Sequence, residues 1–205
     1  MIGAGALARD IIDLVGAGRF AAAYVDPQFA VDSVAGVPVV TTWQEARRRS
    51  SHYVLATLDM AHRQRARQLA AAASLLPAPP IVSSLARVAG DARLDDGCVV
   101  GHFSVIGPAA RLGVDTLVMH SALVAHDSVV EECTAICAGA CINGNVRIGP
   151  RCFIGPNATL APNIRIDHDS AVAAGAVCFR DATPHSFLVG NPARRTAAGP
   201  GHHPG

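Results

Sequence analysis

His126, in the run Val124-Ala125-His126-Asp127, offers an imidazole. With an unperturbed pKa of about 6.5 it is mostly free base at neutral pH, the state needed to take a proton from an amine or hydroxyl. Near the start, Gly3-Ala4-Gly5 precedes an apolar helical pattern, Leu7, Ile11, Ile12, Leu14 and Val15. A glycine turn before a helix can present backbone N–H groups and a helix N-terminus to a phosphate. With Ala6-Leu7-Ala8 and then Asp26, the segment imitates a dinucleotide fingerprint, but no second nucleotide-binding half follows. All 17 basic residues are Arg and none is Lys, which excludes a lysine Schiff base and a P-loop lysine. The six cysteines (Cys98, Cys133, Cys137, Cys141, Cys152, Cys178) contain no C-x-x-C pair, so packed, reduced thiols are expected and no metal.

A repeat positions His126. Counting in sixes from Val88 to Val172 meets an aliphatic residue fifteen times without a break, and four places after each lies a mostly small residue such as Ala92, Cys98, Ser104 or Ala110. Two positions of every six are thus fitted to one interior, the signature of a solenoid of very short strands. His126 is the third residue of its unit, away from that interior. Residues before about 76 alternate differently: strands at 22–25 and 37–40, a helix at 43–49, a buried strand at 53–56 and a helix at 59–73 capped by Asp59. That order implies a small parallel α/β sheet of one mononucleotide-binding half. Its first strand has only Met1 and Ile2 available, so it is either stunted or begins upstream. Pro77-Ala78-Pro79-Pro80 marks a boundary. The expected organisation is a front domain at 1–76, a connector at 77–87, a solenoid with its closing segment at 88–196 and a disordered tail at 197–205.

Composition agrees. Only 4% of residues are aromatic although half are hydrophobic, which suits a narrow aliphatic interior. A formal net charge of +1 argues against nucleic-acid binding. No apolar run approaches the roughly 18 residues of a membrane span and no signal-peptide pattern opens the chain, so a cytoplasmic protein with no membrane attachment is expected.

Read end to end, GAGALARDIIDL, YVD, hexapeptides containing VAHD, and GNPARR resemble the left-handed parallel β-helix acetyltransferases related to sialic acid O-acetyltransferase and the bacterial UDP-4-amino-sugar N-acetyltransferases. The resemblance covers Ile2 to Arg195. It implies a half-Rossmann front domain followed by a left-handed β-helix of triangular 18-residue coils, assembled as a homotrimer with acetyl-CoA between neighbouring helices. His126 matches the family's catalytic base, and Asp127 the acid that orients it. Gly144 matches the glycine whose N–H meets the thioester carbonyl. Arg180, Asn191, Pro192 and Arg194 lie in the segment that flanks CoA, where the arginines can meet phosphates. Gly3, Gly5 and Asp26 match positions that hold the nucleotide of the sugar. The implied reaction is acetyl transfer to an amine or hydroxyl of a nucleotide-linked amino sugar.

Several positions depart from the family pattern. Ala6-Leu7 stands in place of Gly-His in the glycine turn, Pro27 in place of a second acid, Ser83-Ser84 in place of His-Pro, Met119-His120 in place of Asn-Thr, and Ala135 in place of a histidine that contacts CoA in some members. His120 is a candidate substrate-binding group that replaces a lost polar function; it stacks 18 residues after His102. The departures keep three alternatives open: an O-acetyltransferase on a sialic-acid-like or other acceptor, a zinc-dependent hydratase like the γ-carbonic anhydrases, and a silent CoA-binding homologue. The spacing of six between His120 and His126 puts them on different faces and speaks against shared zinc.

Overall fold

The protein is described here by a computed structural model, which places residues 1–29 and 31–196. The tail from 197 lies outside the described residues. The repeat folds as its spacing requires: two-residue strands succeed one another every six residues, and each pairs in parallel with the strand 18 residues on, as in Val105↔Leu123, Arg111↔Val129 and Leu117↔Ala135. Stacked strands lie about 4.8 Å apart. Three flat faces result, each ending at a corner. The first face turns Val100, Val118, Ile136, Ile154 and Val172 inward, the second Val88, Ile106, Val124, Ile142 and Leu160, the third Leu94, Leu112, Val130, Ile148 and Ile166, and together they form one aliphatic core.

Serine and threonine are tolerated inside because each closes a hydrogen bond there. Ser128 donates to the Asn143 carbonyl at 2.8 Å and accepts from the Val146 N–H, and Thr134 donates to the Gly149 carbonyl at 3.1 Å and accepts from the Cys152 N–H. All six cysteines are free, and burial pushes the thiols of Cys98, Cys137 and Cys152 up to about 12. The fourth residue of most units lies in the left-handed region, with φ of 59° at Phe103, Asp127 and Arg151. Asn145, Asn157 and Asn163 take the same place more comfortably.

The front unit contains α1 (Ala6–Val15), α2 (Trp43–Arg49) and α3 (Met60–Ala72). Thr42 caps α2 by accepting from the Glu45 N–H, and Asp59 caps α3 by accepting from the His62 N–H. Val37–Val40 runs parallel to Ala23–Tyr24, and Ile2 bridges Tyr24 on one side and Leu55 on the other, so the short first strand is one residue wide in the sheet. Of the buried stretch expected as a strand at 53–56, only Tyr53 belongs to a regular strand, His52–Tyr53, which pairs with Leu76–Pro77. A hairpin adds Ser33–Val34 antiparallel to Val37–Val40, which the sequence reading did not anticipate.

This unit packs on the first face of the solenoid. Ala8, Ile11 and Ile12 of α1 meet the outward side chains Val99, Leu117 and Ala135, with Phe153 at the edge. Strand pairing corrects one expectation. Residues 77–87 are no free connector: Ile81–Val82 pairs with Val99–Val100 and Arg87–Val88 with Val105–Ile106, so coiling begins at Ile81. Val82 lies six before Val88 and simply continues the inward register. Ala135 is completely buried beneath the front unit of its own chain.

The outward columns of the other two faces differ sharply. The second face carries Arg87, Val105, Leu123, Cys141, Thr159 and Val177; the third carries Arg93, Arg111, Val129, Arg147 and Arg165. No helix of the described residues is long and apolar enough to cross a membrane.

Candidate active site

The corner between the second and third faces is the vertex opposite the front unit, and it stacks His126, Gly144, Pro162 and Arg180 one coil apart. Asp127, in the left-handed turn conformation, swings its carboxylate back to His126, with Oδ2 2.8 Å from Nδ1. A carboxylate only accepts here, so Nδ1–H donates and the lone pair resides on Nε2. Nε2 lies directly over Gly144. A side chain on that residue would collide with Nε2 and Cε1 of His126. The Gly144 N–H donates to no group among the described residues, whereas its carbonyl accepts from the Asn163 N–H. A basic nitrogen and an unused N–H donor thus share one exposed shelf, the pair that acyl transfer requires.

Gly144→Ala tests this closeness. The added methyl must push the imidazole off the shelf, and displacements of about 1 Å at a reacting centre cost roughly 100-fold in rate. Turnover is expected to fall on that order while the far-ultraviolet circular dichroism stays that of the parent. Unchanged turnover would show that the ring does not work from this position.

Three coils further along the same corner, Arg180, Pro192 and Arg194 line one open cavity of about 480 Å³ with Phe179, Asp181 and Arg195. Asn191, in cis linkage to Pro192, is exposed beside it. The four residues expected to flank CoA are therefore together, roughly 14 Å along the stack from His126 at about 4.8 Å per coil.

Gly3 and Gly5 sit at the start of α1. Gly3 has φ of 118°, and a side chain there would strike the Ala56 carbonyl, which explains its type. Gly5 is the N-cap residue without a side-chain cap, so the first-turn N–H groups of Ala6 and Leu7 are left for an anion. Asp26 is exposed and caps a turn, accepting from the Gln28 N–H at 3.1 Å. These three are on the front unit, away from His126.

His120 lies on a different corner from His126, the one that follows the first face. Its Nδ1 accepts the His102 N–H at 3.2 Å and its ring stacks on that of His102, centroids 5.4 Å apart. His102 in turn bridges the buried Ser83 hydroxyl (2.6 Å) and Asp13 of α1 (3.1 Å). Ser83, a departure from the family pattern, thus holds a ring that ties the front unit to the solenoid. The three histidines do not converge within one chain, as their spacing anticipated.

Residues 145–180 match the family model of the bacterial transferase hexapeptide (six repeats). The bifunctional protein GlmU of Anaplasma marginale (strain Florida) is 33% identical over 116 residues, 53% of this chain and 27% of that protein. The chain thus spans about a quarter of the length of the curated relatives it matches. Among solved structures, a point mutant of perosamine N-acetyltransferase from Caulobacter crescentus, in complex with CoA and GDP-perosamine, superimposes with a TM-score of 0.88 at 26% identity over 96% of this chain and 95% of that one. The acetyltransferase domain of PglB from Neisseria gonorrhoeae FA1090, in complex with acetyl coenzyme A, gives 0.85 at 27% identity over 95% and 97%.

Proposed function

We propose, on the premise that this chain is a hexapeptide-repeat acetyltransferase with a left-handed β-helix, that it transfers acetyl from acetyl-CoA to the amine of a nucleotide-linked amino sugar. The observation that carries this reading is the seating of the His126 imidazole, oriented by Asp127, on Gly144. Nε2 takes the proton of the amine as its nitrogen bonds to the thioester carbon. The oxyanion is held by the Gly144 N–H, Asp127 offsets the charge of the imidazolium, and collapse expels the CoA thiolate, which receives that proton. The separation of His126 from the Arg180 and Arg194 cavity suits an extended pantetheine arm, with the arginines on its phosphates.

The acceptor's nucleotide belongs on the front unit, at Gly3, Gly5 and the start of α1, with Asp26 and His120 as further contacts. Since the front unit covers the face opposite the His126 corner, the acceptor held by one chain reacts at a neighbour's His126. A homotrimer supplies this. Of the three faces, one is covered by the chain's own front unit and one bears four arginines whose like charges oppose close approach. The second face, with Val105, Leu123 and Val177 outward and the exposed Phe103 and Phe179 nearby, is left for the contact between copies. Leu123→Arg is expected to give monomers in sedimentation equilibrium and to suppress turnover; a persisting trimer would move the interface elsewhere. The six free cysteines fit work in the reducing cytoplasm.

Thiol release from acetyl-CoA, measured against GDP-, UDP- and dTDP-linked amino sugars, CMP-sialic acid and free amines, tests the proposal. Consumption with one nucleotide amino sugar is the expected result. Binding of CoA without thiol release from any acceptor would overturn it.

A further inference from the structure

Among the described residues, His168, Asp169 and His185 form a group in which one potential metal-donor atom from each residue lies within 4.8 Å of those of the other two. They occupy the corner between the third and first faces, so they are not part of the shelf around His126. They are also separate from the contact of α3 with the solenoid, where Arg67 engages Asp115 and Glu132 on earlier coils of that corner. The backbone supports the pairing: the His185 N–H donates to the His168 carbonyl at 3.1 Å, fixing the closing segment on the last full coil.

The roles of the three side chains follow from their hydrogen bonds. Arg151, one coil earlier, grips Asp169 with two bonds, Nε to Oδ1 and NH2 to Oδ2, each 2.7 Å. Held twice by that guanidinium, Asp169 presents a carboxylate that accepts hydrogen bonds. Its Oδ2 also lies 2.8 Å from His168 Nδ1. Nδ1–H must therefore donate, and the His168 lone pair is on Nε2. A carboxylate behind a histidine whose other nitrogen is free is the arrangement by which proteins orient imidazole for a metal. The His185 ring stands edge-on to His168 with centroids 5.2 Å apart, and it is exposed.

We propose that His168 and His185 bind a divalent transition-metal ion, with Asp169 and Arg151 orienting His168 rather than touching the metal. Two imidazoles select borderline ions such as Zn²⁺, Ni²⁺ or Cu²⁺ over Mg²⁺ and Ca²⁺, which prefer oxygen. Water completes the coordination. The bound ion links the last coil to the segment that carries Pro192 and Arg194.

Zinc chloride titrated calorimetrically into the full chain is the test. His202 and His203 are replaced by Ala in every protein compared, so that tail imidazoles add no site. One Zn²⁺ per chain is expected. His185→Ala should weaken binding at least about tenfold, and Asp169→Asn, which keeps both imidazoles, by about 10–100-fold. Zn²⁺ should also raise the thermal midpoint of the parent but not of His185→Ala, since a ligand of the native state stabilises it. His185 is exposed, so circular dichroism of that variant should match the parent. Absence of saturable binding, or binding untouched by His185→Ala, overturns the site.

Discussion

His126→Ala is expected to lower acetyl transfer by about 10²–10⁴-fold, the span that a positioned general base contributes. The proposed trimer and the thermal midpoint are expected to stay where they were. The second half of this expectation follows from exposure: the His126 side chain is 64% accessible in the chain, so its loss opens no buried cavity. Asp127→Asn separates orientation from backbone effects, because Asn adopts the left-handed conformation that Asp127 holds at φ 59°. That variant keeps a group facing Nδ1 but not the charge opposite the imidazolium, so a smaller loss in kcat than for His126→Ala is expected, with little change in the KM for acetyl-CoA. Steady-state thiol release, with sedimentation to confirm the assembly, makes the measurement. Parent-like turnover in His126→Ala would remove this histidine from the mechanism and require another group to take the acceptor's proton.

The parts legible in the sequence are those fixed by near neighbours. An inward aliphatic every six residues, with a small residue four places on, states the coil and puts His126 on an outer corner. Asp59 and the helix it caps were equally local. The fourth position was less readable, since bulky Phe103, Cys133 and Arg151 accept the left-handed turn beside the Asn and Gly that advertise it. What could not be read came from docking. Ala135 looks like any outward residue until α1 and Ile81 bury it, and Asp115 reads as an ordinary turn aspartate although its partners, Tyr53, Arg63 and Arg67, lie some 50–60 residues earlier. His168 and His185 fall between these cases. Their spacing of 17 is one short of a coil, so the 18-residue rule that pairs His102 with His120 passes over them.

Asp115→Ala is expected to destabilise the docking of the front unit by about 3–5 kcal/mol, the cost of stripping one partner from a buried ion pair. Asp115 has a fully buried side chain; its Oδ2 accepts from the Tyr53 hydroxyl at 2.9 Å and lies 3.2 Å from Arg67 Nε, and its carbonyl accepts from Arg63. Arg63 is itself wholly buried, donating also to the Thr57 carbonyl at 2.9 Å. Gly97 leaves the room for Asp115 Oδ1, which a side chain there would strike. Burial raises the Asp115 carboxyl above its usual range despite the hydrogen bond from Tyr53 and the two arginines, so the carboxylate gains little for itself. The penalty in Asp115→Ala arises instead from Arg63, whose guanidinium is left in the interior without a counter-charge. Asp115→Asn retains an acceptor for Tyr53 and should cost less, and replacing Arg63 and Asp115 together by apolar residues should recover part of the loss. Trp43, the only tryptophan, is on α2 of the front unit, so its fluorescence reports that unit alone. In urea its transition should move down by about 2 M for an m-value near 2 kcal/mol/M, while the β-signal of the solenoid melts as in the parent. If the Trp43 transition does not move, the hydrophobic contact of α1 with Leu117 and Ala135 holds the two units together, and the buried ions merely fit between them.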